Sequence, residues 1–406
     1  MQACLELIPD ETKRVFLAYS GGLDSSVLLH LLTSQARVYE IIPWHINHDL
    51  LDVAKDMEEF CLSRAKSYGL ALRVDRLHLG DIKSNIEAEA RRQRYQLFQQ
   101  GTVMGDCVLT AHHTDDQAET FLLNALRGSG TAGLRGIARQ RALGASLLLR
   151  PLLKHARTDI QAYAEKHQLT WFDDPSNTNS RFDRNYLRNQ VVPTFRERWP
   201  KFEGAFATAS ELQSETQELL DEIGRDDFER IKKAESAGIA TLDNHALLAM
   251  SEGRCKNLIR YWIAAQGFPA LSHNRLQELL RQLHARPDSI PEIAMPDYSI
   301  RLYDQRLFLV RSKFDNNCSG VFEFGVSADI VIENLELYLT RDSIFKQLRA
   351  KDLGQQLSLK FRGEENTAKD ERHRLKRMFQ KHRVPPWARS SVAQIYLDGK
   401  LEGILP

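Results

Sequence analysis

The chain is short of cysteine: five occur in 406 residues, at positions 4, 61, 107, 255 and 318, an odd number with no CxxC among them. That spacing excludes a disulfide framework, a structural zinc site and a dithiol redox motif, and it fits a reducing compartment. Long apolar runs are also missing. No stretch of 18 apolar residues occurs, and the N-terminal MQACLELIPDETKR carries acidic residues where a signal peptide would have its apolar core. The expectation is a cytoplasmic protein with no membrane partner. Nor is there an excess of either charge, since 55 Lys+Arg against 54 Asp+Glu leave a net +1, so a polyanionic partner must be met by local basic patches. At about 150 residues per domain the length suggests two or three domains, and 42% hydrophobic content is enough for ordinary cores.

A second absence lies in the most informative stretch. The apolar run Val15–Tyr19 reads as a buried parallel strand, and Val27–Leu32, with Val27, Leu28, Leu31 and Leu32 on one face, reads as the helix after it. Between them stands Ser20-Gly21-Gly22-Leu23-Asp24-Ser25-Ser26. No lysine follows the glycines, so the GxxxxGK[ST] loop is excluded, and GxGxxG is absent as well. A glycine turn from strand to helix still aims backbone N–H groups and a helix dipole at one point, which is a phosphate site. Asp24 inside that nest would repel a polyphosphate, so a divalent cation is implied between them, and Mg²⁺ fits.

Downstream, strand candidates Val38–Ile46, Leu70–Leu79 and Cys107–His112 alternate with helix candidates Asp52–Tyr68, Asn85–Gln100 and Asp115–Leu126. Such alternation builds right-handed βαβ units around a parallel sheet, with ligands at the carboxyl ends of the strands. The Ser20 loop and His112 both fall at that edge. In Ala111-His112-His113-Thr114-Asp115-Asp116-Gln117-Ala118-Glu119-Thr120, Thr114 and Gln117 suit a capping box and the acids suit the helix dipole. Two histidines and two aspartates beside a metal-dependent phosphate loop exceed what a cap requires, and without cysteine they favour Mg²⁺ over Zn²⁺. Asp115 and Glu119 share one face, Asp116 and Thr120 the next, so one face could bind metal and the other a cationic substrate.

The glycine-rich Arg127–Gly136 loop lies where a mobile gate would sit. Leu147–Leu152 reads as a further strand, Arg157–Gln168 as a helix, and Trp171–Asn177 as a turn whose aromatics suit stacking on a base. From Arg181 to Lys201 there are six Lys/Arg and two Asp/Glu, net +4, with Arg184 and Arg188 on one helical face, a composition that suits phosphate contact. Beyond Phe202 helices are expected over Ala207–Glu222, Glu252–Gln266 and Leu276–Leu283, then a hairpin over Ser299–Val310. Between Lys369 and Arg389 eight Lys/Arg face two acids, net +6, with Phe379 and Trp387 interleaved, which is the composition of an RNA contact.

SGGLDSS resembles the pyrophosphate-binding loop of the N-type ATP pyrophosphatases. Together with AHHTDDQAET, RGSGTAGLRG, RPLL, WFDDPSN and FDRNYLRN in this order, it looks like the tRNA(Ile)-lysidine synthetase family, with a departure at His48-Asp49-Leu50-Leu51, where the family usually reads His-Gly-Leu-Arg. Arg362-Gly363-Glu364, LKRMFQ and VPPWAR are similar to the C-terminal domain of its longer members. The resemblance implies an α/β fold: a parallel-sheet, Rossmann-like ATP pyrophosphatase domain (1–206), a mainly helical domain (207–312) and a small mixed α/β C-terminal domain (313–406). It implies ATP and Mg²⁺ as cofactors, with free L-lysine and a tRNA(Ile) carrying a wobble cytidine as partners; a homodimer is also compatible.

On that reading ATP adenylates the carbon-2 oxygen of the cytidine, and lysine then displaces AMP. Ser20, Gly21, Gly22, Leu23, Asp24, Ser25, Ser26 and Arg94 would hold the nucleotide, and Asp24 and Asp115 the metal. Asp24, Asp116 and His112 would carry catalysis, with Asp116 receiving lysine and His112 or His113 its proton. Arg91, Arg184 and Arg188 are phosphate candidates, and Arg374, Lys376, Arg377 and Trp387 would grip the tRNA. A tRNA thiolase of the same superfamily is the rival, but it needs a sulfur-carrying cysteine, and here Cys61 lies mid-helix and Cys107 opens a strand.

Overall fold

The computed structural model describes residues 1–35, 39–47, 54–77, 86–173, 183–236, 239–284, 290–312, 321–324, 330–332, 337–339, 357–360, 369–390, 392–397 and 399–405. The His48–Leu51 loop, the stretch from Asp174 to Phe182 and Arg362–Glu364 lie outside the described residues. The chain divides into two compact units, Met1–Leu219 and Leu220–Pro406.

The first unit runs β1 (Arg14–Ala18), α1 (Leu23–Thr33), β2 (Glu40–Asn47), α2 (Ala54–Ser67), β3 (Arg73–Arg76), α3 (Ile86–Gln100), β4 (Asp106–Leu109) and α4 (Thr114–Leu126). It continues with α5 (Thr131–Leu134), β5 (Gln140–Leu143), β6 (Ser146–Leu149), α6 (Arg157–Lys166), α7 (Asp183–Tyr186), α8 (Val192–Arg198) and the long α9 (Phe202–Ile231), which carries on into the second unit. Six strands form one sheet in the order β3-β2-β1-β4-β6-β5, parallel except for β5 on the edge. Strand order reverses between β1 and β4, and the crevice at such a switch point is where α/β sheets bind ligands.

Alternation along β1 explains why both sheet faces are covered. Val15 and Leu17 point into a core with Leu28, Leu31 and Leu32 of α1 and Ile160 and Ala164 of α6, whereas Phe16 points the other way, to Trp44 and to Phe98 of α3. Each fully buried leucine contributes about 1.5–3 kcal/mol. Two strands stop earlier than their apolar runs suggest. β4 ends at Leu109, and Thr110 to His113 leave the sheet for the cavity edge; β6 ends at Leu149, because Pro151 lacks an N–H and opens a 3₁₀ turn, Pro151–Lys154. The antiparallel edge strand β5 was not foreseen.

The glycine-rich loop folds as the short α5, tied down by Asn124 Nδ2 donating to the Gly133 carbonyl at 2.8 Å and by Thr131 Oγ1 donating to Gln217 at 2.7 Å. In the second unit, helices Glu252–Ala265 and His273–Gln282 and the strands Ile239–Asp243, Glu292–Ala294, Tyr298–Tyr303 and Arg306–Arg311 share a core around Trp262 and Tyr298. The foreseen hairpin is there, but it belongs to a five-stranded antiparallel sheet. Farther on, Val321–Phe324, Leu357–Lys360, Ala393–Leu397 and Lys400–Leu405 form a four-stranded antiparallel sheet, and the basic helix Lys369–Lys381 packs Leu375 and Phe379 into a small core.

Trp44 is fixed on every side: its Nε1 donates to Asp75 at 2.7 Å and the Arg73 guanidinium stacks 3.7 Å from its ring centre. A Cβ added at Gly101 would run into that ring and into the Arg73 guanidinium at 2.8 Å. Gly101→Ala is therefore expected to destabilise the protein by about 1–3 kcal/mol, read as a lower urea midpoint with an unchanged slope.

Candidate active site

Gly21 has φ +80°, and a Cβ there would lie 2.9 Å from Cys61 Sγ and 3.3 Å from the Phe60 ring, so only glycine fits this turn. The turn is braced from within. Ser25 Oγ donates to the Gly22 carbonyl at 3.0 Å, Ser26 Oγ to the Gly21 carbonyl at 3.2 Å, and Phe172 N–H to the Gly21 carbonyl at 2.9 Å. With its serines occupied by carbonyls, the first turn of α1 directs backbone N–H groups into the crevice beyond β1.

Asp24 sits in that first turn. Its Oδ2 lies 3.7 Å from His113 Nε2, while its Oδ1 is buried with no hydrogen-bond partner. Burial pushes its carboxyl above the usual range, with Asp116 adding to the effect and His113, Arg157 and Arg188 opposing it. A carboxylate kept where burial disfavours its charge, with one oxygen unpartnered, fits a divalent cation. Among the described residues no set of three His, Cys, Asp or Glu side chains could hold a metal unaided. Mg²⁺ commonly takes one or two carboxylates and completes its shell with phosphate oxygens and water, so the donor set matches.

Next to the loop, α4 opens one residue earlier than its capping pattern suggests. His113 is the cap residue, and its N–H donates to Asp116 Oδ2 at 3.0 Å, while Thr114 Oγ1 is spent on the Leu153 carbonyl. The His113 ring lies among Asp24, Asp115 and Asp116 at 3.7, 3.6 and 3.4 Å. Burial alone would pull its pKa down, but those carboxylates hold it above the ordinary value.

Asp116 and Glu119 are wrapped by two arginines. Arg184 donates from Nη2 to Asp116 Oδ1 and from Nε to Glu119 Oε2, both at 2.8 Å. Arg188 donates from Nη2 to Asp116 Oδ1 at 3.0 Å and to Glu119 Oε2 at 2.9 Å, and from Nε to Glu119 Oε1 at 2.6 Å. Across the two faces expected for α4, Asp116 is thus joined to Glu119, because two long guanidinium forks span the (i, i+3) carboxylates. Arg188 stands on a π-helical turn, Leu187–Val191, between α7 and α8, a distortion common at functional sites. Burial would raise the Asp116 pKa, yet His113, Arg184 and Arg188 hold it well below the carboxylate range.

Asp24, Asp116 and Arg188 line one cavity of about 770 Å³, which also takes in Trp44, Arg94, Tyr95, His112 and Arg157. His112 Nδ1 is 2.9 Å from Thr110 Oγ1, and burial, helped by Arg150, Arg184 and Arg91, pushes its pKa down to about 3. It is a neutral ring at physiological pH.

Three family models match the chain: a PP-loop domain over residues 2–195, a TilS substrate binding domain over 242–308 and a TilS substrate C-terminal domain over 356–403. The tRNA(Ile)-lysidine synthase of Serratia proteamaculans is 35% identical over 397 residues, covering 96% of this chain and 90% of that protein. That of Coxiella burnetii is 32% identical over 408 residues, 96% and 88% respectively. The chain belongs to the tRNA(Ile)-lysidine synthase family. Among solved structures, the U34-tRNA thiolase NcsA from Methanococcus maripaludis superposes at a TM-score of 0.43, with 17% identity over 52% of this chain and 77% of that one.

In this chain Ser20, Gly22, Leu23, Asp24, Ser25, Arg94, His112 and Asp116, the nucleotide and catalytic candidates of the sequence reading, share the cavity with the phosphate candidate Arg188, while Gly21 shapes the turn and Ser26 braces it. Asp115 is turned elsewhere: Oδ1 accepts the Arg157 N–H at 3.1 Å and Oδ2 accepts from Arg196 at 2.8 Å. Arg374, Lys376 and Arg377 are exposed on their helix, with Arg374 Nη2 3.7 Å from Glu402. Trp387 is half-buried, edge-on to Tyr303 and Phe308, with the Arg301 guanidinium 5.0 Å from its ring centre. Residues that sequence reasoning passed over are Arg157, Tyr95 and Arg150, none of which stands in a run of like chemistry.

Removing one member of a buried ion network strands the others. Glu119→Ala should cost about 3–5 kcal/mol, whereas Glu211→Ala, which breaks an exposed pair with Lys154, should cost under about 1 kcal/mol, both read by urea unfolding. Acid should expose His112 separately. Its folded pKa lies below the unfolded value, so stability is full above about pH 6.5 and is lost as pH falls toward 3. His112→Gln should therefore lose less stability than the wild type between pH 6.5 and pH 4.

Proposed function

We propose that the chain joins free L-lysine to carbon-2 of the wobble cytidine of tRNA(Ile), in the cytoplasm, at the expense of ATP. Residues 1–206 would carry the chemistry, 207–312 substrate binding and 313–406 RNA contact. The observation that carries this reading is the meeting, in one cavity, of an amide cradle containing Asp24 and the carboxylate Asp116, which Arg184 and Arg188 bridge to Glu119.

In the first step the carbon-2 oxygen of the cytidine attacks the α-phosphorus of ATP, the bond to the β-phosphate bridging oxygen breaks, and pyrophosphate leaves. The N–H groups of Leu23, Asp24 and Ser25 stabilise charge that builds on that leaving group, which is the term catalysts of this kind rely on most. Mg²⁺ beside Asp24 supplies charge neutralisation when bound. In the second step the lysine ε-amine attacks carbon-2, AMP departs with the activated oxygen, and the amine gives up a proton. A conjugate acid as strong as that of His112 cannot retain this proton, so solvent or departing phosphate is the better sink. Adenylation turns a poor oxygen leaving group into a phosphate monoester.

Charge balance shapes how lysine enters. Asp116, Glu119, Arg184 and Arg188 form a neutral set of two anions and two cations, so an incoming ammonium must displace one guanidinium. Arg188 is the candidate, because it lines the cavity and can turn to a nucleotide phosphate. Among the described residues no cysteine favours thiolation: burial pushes Cys61, the thiol beneath the loop, up to about 12, and Cys4 and Cys255 up to about 11.

With ATP, Mg²⁺, radiolabelled lysine and bulk tRNA, label should become acid-precipitable and survive the mild base that strips aminoacyl esters; label that stays soluble would overturn the reading. Asp24→Asn should abolish pyrophosphate release while leaving the melting temperature unchanged or higher, since the variant no longer buries an unpartnered charge.

A further inference from the structure

Around Tyr95, which lines the cavity, stands a second charged cluster, unlike the first. Tyr95 of α3 lies between two exposed guanidiniums, Arg91 at 5.1 Å and Arg141 at 4.5 Å from its ring centre. Below them Arg150, 3% exposed, directs Nη2 to the Tyr95 hydroxyl at 3.5 Å and Nη1 to the Ala138 carbonyl, while its Nε is buried with no hydrogen-bond partner. Among the described residues no carboxylate comes within ion-pair distance of Arg91, Arg141 or Arg150. By contrast Arg184, Arg188 and Arg196, around α4, are all paired with acids. Tyr95 itself feels the imbalance: burial would raise its pKa, but Arg91, Arg150 and Arg141 together bring it below the ordinary phenol value.

Uncompensated cations gathered on an aromatic floor, with a buried guanidinium N–H left over, form an anion site. We infer that Arg91, Arg141 and Arg150 around Tyr95 bind a phosphodiester of the RNA strand whose base enters the cavity. Two features favour RNA over the nucleotide as the source of that phosphate. The triphosphate already has the α1 cradle, with Asp24 beside it for a cation. A nucleotide whose base is inserted for reaction leaves its flanking phosphodiesters at the rim, and Arg91 and Arg141 are exposed there beside a ring that lines the cavity. Arg91 and Tyr95 reach the rim from one face of α3 at (i, i+4), and Arg141 comes from the edge strand β5, so the site requires the strand that the apolar pattern missed.

The inference rests on the RNA substrate proposed above. The test uses the full-length double variant Arg91→Gln/Arg141→Gln, whose exposed positions leave the core intact, with a tRNA(Ile) transcript as probe. Filter binding between 50 and 200 mM salt should show a salt slope lower by about 0.7–0.9, the contribution of one phosphate contact, and affinity down roughly tenfold. ATP affinity without RNA should stay within about twofold of the wild type. An unchanged slope and tRNA affinity would overturn the inference, and so would a loss of ATP affinity with tRNA binding intact, which would assign the site to the nucleotide. If α3 is disturbed, Arg141→Gln alone repeats the test with about half the change in slope. A wild type that binds no tRNA would remove both the RNA reading and this site, whereas a lysine-ligating wild type with an unmoved variant slope would remove the site alone.

Discussion

The catalytic unit depends on one electrostatic arrangement: a helix N-terminus that attracts anions has a carboxylate in its own first turn. α1 brings N–H groups to the carboxyl edge of β1, and Asp24 stands among them with one oxygen unpartnered. Taken alone this is unfavourable for the protein and for any triphosphate. It becomes favourable when a cation joins the two anions, and the surrounding structure is consistent with keeping that spot for one. His113, whose pKa Asp24, Asp115 and Asp116 hold above the ordinary value, stands among the acids, and Arg196, Arg184 and Arg188 engage those on α4.

The cavity thereby acquires two walls of different character. On the α4 side two buried carboxylates and two partly exposed guanidiniums cancel, and a new cation can enter only by exchange. On the α3 side Arg91, Arg141 and Arg150 around Tyr95 meet no acid among the described residues, so an anion can enter directly. The proposed reaction, which brings an ammonium, a triphosphate and a polyanionic strand to one carbon atom, calls for this separation, because a uniformly basic pocket would repel lysine and a uniformly acidic one would repel the other two.

Much of this was legible in the sequence, and the boundary is physical. The phosphate loop is local chemistry, with strand, glycines, carboxylate and helix within a dozen residues, and it could be read directly. The βαβ order followed from apolar runs buried on both faces. Partnerships across the fold could not be read. The net charge of the FDRNYLRN segment suggested phosphate contact, yet Arg184 and Arg188 reach Glu119, 65 and 69 residues away. Trp387 looked like an open ring in a basic run, but Tyr303 and Phe308 meet its edges from a hairpin far back in the chain. The short, polar strand β5 gave no periodic signal at all, though it carries Arg141.

The most direct test of the central arrangement is to measure ATP binding to the wild-type protein with Mg²⁺ and with a chelator in its place, in the absence of RNA and lysine. A cradle that contains Asp24 predicts at least about tenfold tighter binding with Mg²⁺, a difference that Asp24→Asn should largely erase. Equal affinity with and without the cation in the wild type would contradict it.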